Sequence, residues 1–185
     1  MSKRNTVVRS AHDVGLAAWF GGSLMGAVGL NGATAEAKSS QEALRLSSLG
    51  WGLWAPVNTA AIGVHVLGGL GLMVGNKDRI KQQDEAQRNT AAKTVLTLAG
   101  IGLTVYSGML AKKVYEHQDN PTDGTTEPSS STDEELASAQ RQLQYCQWAI
   151  PAVTGALLIL GAQQGEQQRP GEQALGRVRG LFSKY

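Results

Sequence analysis

The 17 Lys and Arg and 15 Asp and Glu residues of this 185-residue chain are crowded into short stretches, leaving four long windows with none. Asp13 is followed by no charge until Glu36, Arg45 by none until Lys77, Lys93 by none until Lys112, and Arg141 by none until Glu166. A bilayer core of about 30 Å needs roughly 20 consecutive residues without strong charge. Lipid offers backbone amides no partner, so spanning segments of this kind must be helices. The expected fold is therefore all-α, a four-transmembrane-helix antiparallel bundle.

The spans are placed at about 14–31, 53–74, 94–111 and 146–162. At 1.5 Å per residue each is about 26–33 Å long, enough to cross upright or with modest tilt. Residues 1–165 then form a membrane domain and 166–185 a basic tail. The chain-wide composition, 42% hydrophobic and 17% charged, hides this division because it averages spans with connections.

Lys and Arg in short flanks record orientation, since they are retained on the cytoplasmic side. The N-terminal tail carries Lys3, Arg4 and Arg9, the 75–92 connection Lys77, Arg79, Lys81 and Arg88, and the C-terminal tail Arg169, Arg177, Arg179 and Lys184. The 32–52 connection balances Lys38 and Arg45 with Glu36 and Glu42, and acids outnumber bases in 112–144. Both termini are thus expected in the cytoplasm. Trp51, Trp54, Tyr115, Tyr145 and Trp148 gather near the expected outer interface, where amphipathic rings are best solvated.

Residues 116–135 are expected to be a flexible outer loop, because 119–135 contains Pro, Ser, Thr and acids but no apolar side chain to bury. Thr132 and Glu135 fit a capping box that starts the fourth helix outside the membrane. Leu175, Val178 and Phe182 give the tail an apolar face for the inner leaflet, weakened by Gly176 and Gly180. Ala33-Thr34-Ala35 after the first span also fits a secretory cleavage site, which would leave three spans.

Small residues recur every fourth position: Ala18, Gly22 and Gly26; Gly71 and Gly75; Gly100, Thr104 and Gly108. Such rows let helices approach closely within a bundle or between chains. His65 is the one titratable group deep in the second span, with Asn58 on the same helical face and Thr104 and Ser107 among its possible partners. It reads either as a proton relay, haem or metal ligand or quinone contact, or as a neutral histidine hydrogen-bonded across helices. His12 is placed at the inner membrane edge, about 15 Å from His65, and His117 in the outer loop, so the three do not form one site in a monomer. No paired carboxylate within a span, no phosphate-cradling glycine loop, no nucleophile elbow and no H-x-x-x-H spacing occurs. Cys146 alone supports neither an internal disulfide nor a cysteine-rich metal site. A net charge of +2 spread beside apolar spans gives no nucleic-acid footprint.

His12, Gly15, Trp19, Phe20, Gly21 and Gly22 form the pattern HxxGxxxWFGG. It resembles the opening helix of small bacterial four-helix membrane proteins, among them the copper-resistance CopD-like and DUF4149-like groups. The resemblance covers about a dozen residues, and the methionine and histidine clusters of a copper carrier are missing. The alanine- and glycine-rich spans also resemble those of actinobacterial membrane proteins, which implies a plasma-membrane location.

The expected function is non-catalytic and free of cofactors: an accessory or scaffold subunit held in the bilayer beside other membrane subunits or further copies of itself. The alternative is a small oligomeric transporter or channel module lined by Asn58, His65, Thr104 and Ser107, and a third is a haem- or quinone-binding redox protein using His65.

Overall fold

A computed structural model describes residues 5–77, 80, 83–117 and 122–166. Among them there is no strand, and four helices are long and apolar enough to cross a membrane. The amphipathic tail expected after residue 166 lies outside the described residues.

Helix α1 (Thr6–Met25) runs through a π-helical turn (Gly26–Leu30) into the short α2 (Asn31–Ala35). Helix α3 is Ser40–Gly75, α4 is Asp84–Glu116 and α5 is Glu134–Glu166. The 36 residues of α3 measure about 54 Å, well beyond a hydrocarbon layer of about 30 Å. Its start is set by Ser39, whose hydroxyl accepts from the Glu42 amide at 3.2 Å, while Glu42 accepts from the Lys38 amide. Pro56 in α3 and Pro151 in α5 leave the carbonyls of Gly52 and Gln147 without their helical donors.

Each long helix runs antiparallel to its neighbours in sequence. Val8, Gly22 and Leu30 of α1 and its extension meet Gly71, Trp54 and Gly50 of α3 in descending order. Lys113, Tyr106 and Lys93 of α4 bond Glu135, Gln142 and Gln164 of α5. One end of the bundle thus holds Asn5, Asn76 and Gln164, the tail end; the other holds Ala35, Ser40 and Glu134, the loop end. Helix α1 packs along α3 and α5, and α5 along α4, but α3 and α4 touch sparsely. The ring of helices is left open on that side.

Two apolar clusters fill the interior. Leu16, Trp19, Ile150 and Leu157 hold the middle, and Leu44, Leu110, Leu136, Leu143 and Cys146 hold the loop end. Outward, Leu53, Leu67, Val95 and Leu98 are each about two-thirds exposed. In water such faces would be a liability, whereas in lipid they are the solvated side.

Of the outer loop expected over 116–135, residues 116–117 and 122–135 are described. Residue 116 ends α4, and 122–133 fold over the loop end with Thr122, Thr125 and Thr126 buried. Gln140, fully buried on α5, holds this segment by donating from Nε2 to the carbonyls of Gly124 at 2.8 Å and Thr125 at 3.2 Å. Threonine methyls can be buried when their backbone is bonded, which the absence of larger apolar residues concealed. The start of α5 also differs from expectation: Asp133, not Thr132, is the cap, its carboxylate accepting from the Glu135 amide at 3.2 Å. Thr132 is taken up instead in a turn with Ser129.

Candidate functional site

Two features of the interior bear on function: a pair of histidines between α1 and α3, and a cavity between α3 and α4.

The expectation that His12 and His65 lie far apart is corrected. Helix α1 begins at Thr6, so His12 is already two turns inside it, and the antiparallel register brings it level with His65. The rings stack with centroids 4.0 Å apart and planes 19° from parallel. Each ring bonds the other residue's backbone: His12 Nδ1 donates to the His65 carbonyl at 2.8 Å, and His65 Nδ1 to the His12 carbonyl at 3.0 Å. A carbonyl only accepts, so both Nδ1 atoms must carry protons. His65 Nε2 faces the Thr97 hydroxyl of α4 at 3.5 Å.

This exchange demands very close backbones, and two glycines permit it. A Cβ on Gly15 would lie 2.6 Å from the Ala61 carbonyl oxygen and 2.7 Å from the His65 nitrogen. One on Gly68 would lie 2.7 Å from the His12 nitrogen. The sequence carries the matching signal twice, as His-Asp-Val-Gly at 12–15 and His-Val-Leu-Gly at 65–68. The pair is related by a local two-fold axis between antiparallel helices.

Trp19, fully buried beside this pair, reaches across the bundle to α4. Its Nε1 donates to Thr104 Oγ1 at 3.2 Å, and Thr104 donates in turn to the Gly100 carbonyl. Nearer the loop end, Trp51 Nε1 donates to Asn31 Oδ1 at 3.1 Å and Asn31 Nδ2 to Gln147 Oε1 at 2.5 Å. That relay joins α3, α2 and α5, and the residue types alone did not reveal it.

The open α3–α4 side contains a loop-end cavity of about 560 Å³ and a tail-end one of about 260 Å³. Asn58, Thr104 and Ser107 line the first; His65 lines the second, with His12 and Thr97. The four polar residues singled out from sequence are therefore divided between two sites. Among the described residues, no group of three His, Cys, Asp or Glu side chains is placed to hold a metal ion.

Of the six glycines expected to mediate packing, four meet another helix and Gly75 meets the residue that precedes α1. Gly22 and Gly26 receive the indoles of Trp54 and Trp51, Gly71 receives Val8, Gly75 receives Asn5, and Gly100 receives Trp19. Gly108 is the exception: no atom lies within 4 Å of a Cβ built there, because it forms part of the loop-end cavity wall. Comparison of the chain with protein-family models, with curated proteins and with solved structures finds no match.

Proposed function

We propose that this chain is a non-catalytic subunit of a plasma-membrane assembly, with both termini in the cytoplasm and the loop end outward. The observation that carries this reading is the open α3–α4 side. Three sides of the helix ring are closed by the chain's own packing, whereas here Leu70 and Leu98 stand more than half exposed along the tail-end cavity. A helix from another subunit, apolar on one face, fits such a groove. The histidines support the same reading, because their Nδ1 atoms are committed to holding α1 against α3.

The test places a photocrosslinking residue at Leu98 and, as a control, at Val14, which is exposed on α1 and lines neither cavity. A protein adduct of fixed mass at Leu98 and none at Val14 is expected, while adducts of lipid alone at both refute the reading. Orientation is tested in a Cys146→Ala background, where Ser131→Cys should react with an impermeant maleimide on intact cells and Gln83→Cys only after permeabilisation. The reverse pattern refutes it.

A second reading, a small transporter, is favoured by the placement of the two cavities at opposite ends of one seam. Trp19 belongs to the apolar cluster of the bundle's middle, and Ile62 packs against that cluster. Under that reading Asn58→Ala or His65→Ala abolishes flux in a reconstituted vesicle without unfolding the chain, and unchanged flux refutes it.

A further inference from the structure

Seven buried side-chain polar atoms lack a hydrogen-bond partner among the described residues, and four of them belong to residues of the loop-end cavity wall: Ser47 Oγ, Trp54 Nε1, Asn58 Oδ1 and Thr125 Oγ1. Ser47, Asn58 and Thr125 are each more than nine-tenths buried. Buried polar atoms are costly without partners, so a cavity wall that gathers four of them just beneath its surface gains by turning them to an occupant that bonds them. The cavity volume, about 560 Å³, lies within the range of small-molecule sites, about 300–1,000 Å³.

The lining is ordered by depth. Arg45 and Lys112 stand toward the loop end, and no carboxylate is among the lining residues. Lys112 makes only a 3.7 Å ion pair with Glu116, both side chains more than half exposed, and such a pair exchanges readily for another anion. Next come the hydroxyls of Ser47 and Ser48, then the indoles of Trp51 and Trp54, then Asn58 about 16 Å below Ser47 along the helix. Pro56 leaves the Gly52 carbonyl on the same wall without its helical donor. Between these groups the wall is apolar, with Ala55, Val114, Leu143 and Ile150.

We propose that this cavity holds one anionic phospholipid from the leaflet at the loop end. Its phosphate sits between Arg45 and Lys112 against the serine hydroxyls. Its nearer ester carbonyl accepts from Trp54 Nε1, while Asn58, about 16 Å below Ser47, lies deeper than the head group extends. Its acyl chains leave sideways through the gap where α3 and α4 barely meet. Thr125 closes the head group from above, which gives the segment pinned by Gln140 a purpose. Water would find few partners on the apolar stretches of this wall. An apolar partner helix would leave Trp54 and Ser47 unbonded. The site occupies the loop-end half of the seam and does not rest on the subunit reading, whose groove is the tail-end half.

The test uses the full chain in phosphatidylcholine vesicles doped with phospholipid brominated high on its acyl chains, with tryptophan fluorescence as the readout. Half-maximal quenching should need a severalfold lower fraction of brominated phosphatidylglycerol than of brominated phosphatidylcholine. Arg45→Gln with Lys112→Gln, both toward the cavity mouth, should abolish that preference while the helical circular dichroism is unchanged. Ser47→Ala should weaken it, because the hydroxyl set against the phosphate is lost while no protein hydrogen bond of that oxygen is. Native mass spectrometry should retain one phosphatidylglycerol per chain on the parent and none on the double variant. Equal quenching by the two lipids, or an undiminished preference in the double variant, overturns the proposal. Soluble glycerophosphate should not displace the lipid; displacement at millimolar concentration would make a free phosphate ester the ligand and overturn the lipid assignment.

Discussion

His12 and His65 exchange hydrogen bonds, each imidazole Nδ1 donating to the backbone carbonyl of the other residue across the α1–α3 contact. Inter-helix hydrogen bonds within a bilayer average about 0.6 kcal/mol and reach about 1.7 kcal/mol. Two of them with a stacked ring pair make this contact a principal clamp of the bundle. His12→Ala and His65→Ala should each cost about 2 kcal/mol by lost bonding and lost packing. The double variant should cost less than their sum, a coupling of about 1 kcal/mol measured by unfolding in detergent. Additive losses would show that the rings act independently.

Gly15→Ala and Gly68→Ala should each lower stability by about 1–3 kcal/mol, because the added methyl meets backbone atoms that cannot swing aside. Gly21→Ala and Gly63→Ala are the matched controls, since a Cβ at either position has no atom within 4 Å. Thermal unfolding of the four variants should separate into two pairs.

Trp19→Phe should cost about 2–4 kcal/mol, removing the indole bond to Thr104 and opening a void against Gly100. Gly100→Ala in that background should recover part of the loss, because the Trp19 ring tip that an alanine Cβ would meet at 2.8 Å is then gone. No recovery in unfolding measurements would contradict the observed packing of Trp19 on α4.

Gln140→Leu should free the 122–133 segment from α5 without unfolding the bundle, because its two bonds go to that segment's carbonyls. Limited proteolysis in the loop should accelerate, with the helical circular dichroism unchanged. Asp133→Ala should cost about 1 kcal/mol at the start of α5, more than Thr132→Ala costs that helix.

The helices themselves were legible because charge cannot be placed cheaply in hydrocarbon, so the charge-free windows mark the spans without help from tertiary structure. Register was not legible. Starting the first span at Val14 put His12 at a membrane edge, and only the pairing of α1 with α3 shows that two His-x-x-Gly segments face each other. Gly22, Gly26 and Gly100 could be read as packing positions, since rows of small residues have that common use. What they receive, in each case an indole, could not be read. Gly108 belongs to such a row by spacing yet faces a cavity, because a four-residue interval fixes a helix face and not what lies opposite. Asn58, Thr104 and Ser107 were recognisable as intramembrane polar groups, but that they line a different cavity from His65 depends on how the helices pack.

The π-helical turn at Gly26–Leu30 carries a last consequence. Its wider winding sets the angular phase of everything after it, including Asn31, which must point at Trp51 and Gln147 together. Deleting one residue from the turn would rotate α2 by about 100° about its axis and swing that amide away from both neighbours. The irregular winding acts as a phase adjuster, letting one continuous rod present a glycine face to α3 lower down and a polar hub to two helices at its tip.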